Sequence, residues 1–192
     1  MTQQEPNPIE IYESAVQYLR PILAGVKPGQ LGAPTPCTEW NVQQLIIYTI
    51  KVPQRFHSII TGGAPVNIMS VGGALPPEGA LAAYEAGFDQ LLGVIKAPGA
   101  LERVVAHPRF GDTPVGKLIM LPFTDALIHK WDLAKATDQD TSLDSSLAEV
   151  CYNYLMPVIE DRRKPELFGS DVTVPVSGSI QDKLLGLTGR QQ

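Results

Sequence analysis

Ile9, Tyr12, Val16, Leu19, Leu23 and Val26 recur at steps of three and four residues, the spacing of one apolar helix face. The pattern predicts a first helix starting near Pro8. Pro21 should kink or interrupt it, because its ring crowds the carbonyl one turn back and it has no N–H to donate. Residues 27–36 carry Gly, Pro and Gln and read as a loop. A second helix is predicted from near Thr38 to about Ile60. Thr38 suits the N-cap, and Glu39 places negative charge where the helix dipole favours it. Pro53 predicts a kink one turn after Tyr48, and Gly62-Gly63 a stop. A third helix is predicted from about Pro77 to Lys96, with Leu81, Tyr84, Phe88, Leu91, Leu92 and Ile95 as its stripe. Residues 101–116 fit either a short extended hairpin or plain loop. A fourth helix is predicted from about Thr113 to Thr137, with Thr113 as cap, Pro114 as first residue and a kink at Pro122. A fifth covers about Leu143 to Glu160, after a solvated acidic turn from Asp138 to Asp144. Residues 162–176 read as loop. A last short helix follows Ser179, with Asp182 as its capping-box acid, and ends near Gly189.

At least four substantial helices and almost no convincing strand argue for an all-α bundle. The 192 residues fit one domain, with a core of about residues 8–160 and a C-terminal extension over about 161–192. An apolar share of 44% excludes a disordered chain. The 17 glycines and 17 prolines are dispersed and mark connections rather than low complexity. The net charge is −5, and the one basic cluster, Arg162-Arg163-Lys164, is flanked by Glu160, Asp161 and Glu166. Nucleic-acid binding is therefore not expected. No apolar run approaches the roughly 20 residues of a membrane helix, and Met1 to Glu10 has no signal pattern. The expectation is a cytoplasmic protein that meets a small molecule rather than a membrane. Cys37 and Cys151 form neither a metal-type pair nor a disulfide framework.

The candidate chemistry sits on the fourth helix, in the segment Asp125 to Asp132. Asp125 and His129 are one turn apart on one face, and Asp132 lies three beyond on the same side. A carboxylate and an imidazole so placed can share a metal if a neighbouring helix adds a third ligand. They can act as orienter and general base without metal. They can also be a structural hydrogen-bonded pair, and Asp132 can pair with Lys130 or Lys135 at the surface. Cys37, just before a helix start, reads as a reactive thiol or as a small buried residue. Trp40 and Trp131 read as core aromatics, and Cys151 as a buried position on the fifth helix.

Four stretches together resemble a known family. They are Pro34 to Val42, Asp125 to Ala134, Ala136 to Gln139 and Asp182 to Arg190. They are similar to the actinobacterial metal-binding subgroup of the DinB/YfiT-like superfamily, near the N-terminal domain of mycothiol-dependent maleylpyruvate isomerases. The resemblance implies a DinB-like up-down four-helix bundle with an additional C-terminal helical extension. It implies a divalent metal, zinc or nickel, held in a central cavity by a second-helix histidine and an acid and a histidine of a later helix. It also implies a low-molecular-weight thiol used in isomerisation or S-transfer.

Asp125 and His129 match the later-helix pair. At the second-helix histidine position this chain has Tyr48. His57, nine residues on, faces the opposite side of an ideal helix, and His107 falls in the ambiguous 101–116 region. Two ligands from one helix fall short of the usual three, and neutral tyrosine is a poor ligand. The expectation is that Tyr48, Asp125 and His129 touch as a hydrogen-bonded cluster. As a catalytic set, Asp125 orients His129 as base and Tyr48 donates to a developing oxyanion. As a relic, the cluster belongs to a metal-free ligand-binding or homodimeric bundle.

Overall fold

A computed structural model describes residues 7–162, 170, 172, 174 and 177–191. The basic cluster beyond Arg162 and most of the expected 162–176 loop lie outside the described residues. Among the described residues eight α-helices, a 3-10 turn (Pro28–Gln30) and one hairpin follow: α1 (Pro8–Gly25), α2 (Val42–Thr61), α3 (Ala80–Ile95), β1 (Val104–His107), β2 (Gly111–Pro114), α4 (Val115–Leu118), α5 (Met120–Ala136), α6 (Ser145–Leu155), α7 (Ile159–Arg162) and α8 (Ile180–Leu187). The chain is mostly helical, as the periodicity predicts. α1 packs on α3 and α5, and α2 packs on the same two helices, which closes a four-helix bundle. α6 lies against α5, and α8 packs on α6. Among the described residues no helix is long and apolar enough to cross a membrane.

Both ends of α2 have local causes. Its cap is Asn41, not Thr38. Asn41 accepts from Gln44 N, while the Gln44 side chain reaches back to Asn41 N, both at 3.0 Å. This capping box outcompetes Thr38, because residues 37–40 are already turned by a Trp40 N to Cys37 O bond of 2.8 Å. Gly62 closes the helix in the left-handed conformation, φ 71°. Pro53 sits inside α2 without ending it.

Two other expected starts move. α3 begins at Ala80 rather than Pro77, because Pro76 to Gly79 form a turn with Gly79 N on Pro76 O at 2.9 Å. The expected single fourth helix is replaced by three elements. Val104–His107 pairs antiparallel with Gly111–Pro114, so Thr113 stands opposite Val105 in a hairpin instead of capping a helix. Then α4 stops at Leu118 and α5 starts at Met120. Pro122 explains this break, since it has no N–H for the Leu118 carbonyl.

α5 is the central helix. From Pro122 to Ala134 every residue except Asp125 is buried. An element buried on all sides normally carries apolar residues all round. Here Asp125, His129, Lys130 and Asp132 interrupt that rule, and each buried polar group needs a partner.

Candidate functional site

Asp125, His129 and Asp132 occupy one side of α5, as their spacing of four and three dictates. Tyr48 reaches across from α2 and donates its hydroxyl to Asp125 Oδ1 at 3.1 Å. Asp125 Oδ1 is 3.5 Å from His129 Nε2. The Tyr48 and His129 rings meet edge to face, with centroids 5.2 Å apart. The structure thus brings Tyr48, Asp125 and His129 together.

The other ring nitrogen of His129 opens onto a second group. His129 Nδ1 lies 2.9 Å from Asp132 Oδ2. The Cys37 thiol donates to the same oxygen at 3.2 Å, and its sulfur is 3.8 Å from His129 Nδ1. Arg190, beyond α8, completes the group. Its Nε donates to Asp132 Oδ1 at 3.0 Å and its Nη2 to Asp132 Oδ2 at 2.7 Å. The same Nη2 is 3.3 Å from the Cys37 sulfur, and Nη1 donates to Thr188 O at 2.8 Å. All four residues are buried. Asp132 therefore does not pair with Lys130 or Lys135 at the surface. Lys130 is itself buried and donates to the carbonyls of Asp140 and Ser142, at 2.6 Å each.

Local chemistry fixes Cys37. The Thr35 hydroxyl donates to Trp40 O at 2.7 Å and accepts from Cys37 N at 3.2 Å. Trp40 packs on Tyr48 with ring centroids 4.7 Å apart. The strap before α2 is thereby folded on itself and packed on α2, and the Cys37 bond to Asp132 ties it to α5.

The charges are mutually dependent. Burial alone would push the Asp132 carboxyl up, but the Arg190 charge and the His129 hydrogen bond outweigh it and hold it well below the usual range. Burial opposes charge on His129, yet the Cys37 sulfur and the bonds to Asp125 and Asp132 raise its imidazole well above the ordinary value. Held between two carboxylates, His129 favours the imidazolium form over the free base. Burial, then Asp125, pushes the Tyr48 phenol up, so it stays neutral.

Metal fits poorly at the three positions that the resemblance implies. The Tyr48 hydroxyl is a neutral donor already committed to Asp125. The cavity bounded by Thr49, Val52, Tyr84, Pro122, Asp125 and His129 is about 10 Å³, room for a single water. His57 lies on α2, nine residues beyond Tyr48. His107 sits in β1, between Phe110 at 4.6 Å and Phe56 at 6.5 Å between centroids. A groove of about 720 Å³ is bounded by Leu101, Phe110, Lys117, Met120 and Tyr154 among others, and by no member of the polar cluster.

The model of the mycothiol maleylpyruvate isomerase N-terminal domain matches residues 12–134. The chain belongs to this family. Two proteins from strains of Mycobacterium tuberculosis, both named only as uncharacterized, are each 33% identical over 145 residues, covering 74% of this chain and 74% of each relative. No solved structure matches the chain. The family match contains Cys37, Tyr48, Asp125, His129 and Asp132. It stops short of Arg190.

Sequence reasoning found the Asp125–His129 pair and left Cys37 and Asp132 open between readings. It did not assign a role to Arg190. The signal available was the similarity of the Asp182–Arg190 stretch, which marked the tail without saying what it touches.

Proposed function

We propose that this chain handles a small molecule at Asp125, in the class of thiol-dependent isomerases and transferases, without a metal at the Tyr48, Asp125 and His129 position. One observation carries the reading: the Asp125 side chain keeps 22% of its surface exposed while the His129 side chain keeps 3%. Asp125 is the group of that cluster that an incoming molecule meets. A low-molecular-weight thiol, mycothiol by the family's name, would bring its S–H to the Asp125 carboxylate, which accepts the proton. The His129 imidazolium, 3.5 Å behind, supplies the fixed positive charge beside the thiolate, and the Tyr48 hydroxyl orients Asp125. In this reading His129 contributes charge and is not the base.

The small cavity supports a second reading. About 10 Å³ beside His129 admits no substrate unless the bundle opens. That observation favours a metal-free bundle that binds a ligand or a second copy of itself without catalysis. Mycothiol titration followed by NMR of the His129 ring separates the readings, together with a maleylpyruvate turnover assay on wild type and Asp125→Asn. Turnover lost in Asp125→Asn supports the enzyme. Saturable shifts without turnover support the binding protein. Neither signal withdraws the thiol class.

A further inference from the structure

We propose that Cys37 Sγ, His129 Nδ1 and Asp132 Oδ2 form a site for a zinc-class divalent cation, and that the Arg190 guanidinium competes with the ion for the sulfur and the carboxylate. This goes beyond the reading above and uses the other ring nitrogen of His129; in the metal-bound form the ion, and not an imidazolium, supplies the positive charge beside Asp125.

The three atoms are mutually close: Sγ to Oδ2 is 3.2 Å, Nδ1 to Oδ2 is 2.9 Å and Sγ to Nδ1 is 3.8 Å. Zinc bonds of about 2.0–2.3 Å in a tetrahedron put neighbouring ligand atoms roughly 3.3–3.6 Å apart. Adjustments of about half an ångström would seat an ion. Thiolate, imidazole and carboxylate make a three-ligand set of the kind zinc accepts, with a fourth position for water. Among the described residues this is the one group of three acids, histidines or cysteines whose ligand atoms converge this way.

The surroundings match a metal-bound histidine. Such a ring places its other nitrogen on a carboxylate that is itself hydrogen-bonded. Here Nε2 faces Asp125 at 3.5 Å, and Asp125 is held by Tyr48 at 3.1 Å. Tyr48 thus serves better as an outer-shell group than as a ligand.

Arg190 presently fills the role of cation. Its guanidinium takes both Asp132 oxygens and approaches the sulfur at 3.3 Å. The exchange balances. Binding the dication releases the thiol proton and the imidazolium proton to water, and two charges on the ion meet thiolate and carboxylate. The Arg190 guanidinium gives up its contacts to the sulfur and to Asp132 Oδ2. It follows α8 in irregular chain, next to the exposed Gln191.

The test titrates the full-length, metal-stripped protein with cobalt(II), then displaces it with zinc. The expected result is one equivalent of cobalt with thiolate-to-cobalt charge-transfer absorption, absent in Cys37→Ser. Arg190→Met should bind at least tenfold tighter, and Tyr48→Phe should still show the absorption. Equal affinity of wild type and a folded Arg190→Met overturns the competition, and binding that survives Cys37→Ser without change overturns the site. If Arg190→Met does not fold, wild type in excess cobalt decides, since no thiolate absorption there overturns the proposal. Failure here leaves the Asp125 reading intact, because turnover by wild type and Asp125→Asn is compared on metal-stripped protein.

Discussion

Arg190 Nη2 stands 2.7 Å from Asp132 Oδ2 while Nε stands 3.0 Å from Oδ1. Two parallel charge-assisted bonds join the segment after α8 to the middle of α5. Removing Arg190 leaves Asp132 with His129 as its one charged partner among the described residues, at a cost of up to about 3–5 kcal/mol. Arg190→Met should therefore lower the unfolding temperature by roughly 10 °C for a chain of this size. Arg190→Met combined with Asp132→Asn should recover part of the loss, because no unpaired charge remains. Thermal unfolding in chelator checks both, and zinc added to Arg190→Met should raise its midpoint by linkage.

Tyr48→Phe removes the hydroxyl that orients Asp125 and leaves a carboxylate that water can still reach. The expected cost is about 1 kcal/mol in urea unfolding. Tyr48→His instead supplies a third ligand beside Asp125 and His129. That variant should carry metal as purified, and the metal should persist when Cys37→Ser is added. Elemental analysis of the two variants checks this.

His107 is buried between Phe56 and Phe110, and its Nδ1 accepts from Arg109 N at 3.2 Å and Phe110 N at 3.3 Å. Burial, then Arg55 and Arg109, lowers its pKa below the ordinary value. A depressed histidine stabilises the fold above its unfolded value, about 6.5, and that contribution is lost as pH falls through the folded value. Amide exchange in the hairpin should quicken as pH drops below the unfolded value, after correction for intrinsic rates. His107→Gln should flatten the profile.

Gly186 lets α8 approach its neighbour closely. A Cβ there would meet the Val172 carbonyl at 2.7 Å and the Val174 side chain. Gly186→Ala should cost about 1–3 kcal/mol by overpacking. It should also loosen Arg190, four residues on, read as a shifted His129 ring signal.

The bundle is legible because long amphipathic stretches fix a helical period over several turns. Ile9 to Leu23 and Leu81 to Ile95 declare their buried faces. Boundaries are less legible where two local signals compete. Thr38 and Asn41 are both good caps, and only the Gln44 partner and the 37–40 turn decide between them. The 104–114 hairpin has too few residues for a period-two pattern to stand out from loop. Asp125 and His129 were readable from a spacing of four. Asp132 and Arg190 are 58 positions apart, and no periodicity reports a contact over that distance.

The same long separation bears on the order of assembly. Cys37, Asp132 and Arg190 meet across gaps of 95 and 153 positions along the chain. A nascent chain that has delivered α1 through α5 holds Asp132 in its interior before any guanidinium exists to answer it. Its bundle can collapse with His129 against Asp132, but the carboxylate positions that Arg190 will take stay open to water. Closure of the core waits for translation of residue 190, so a stalled or clipped product should present a wet, chaperone-visible seam between α5 and the strap before α2.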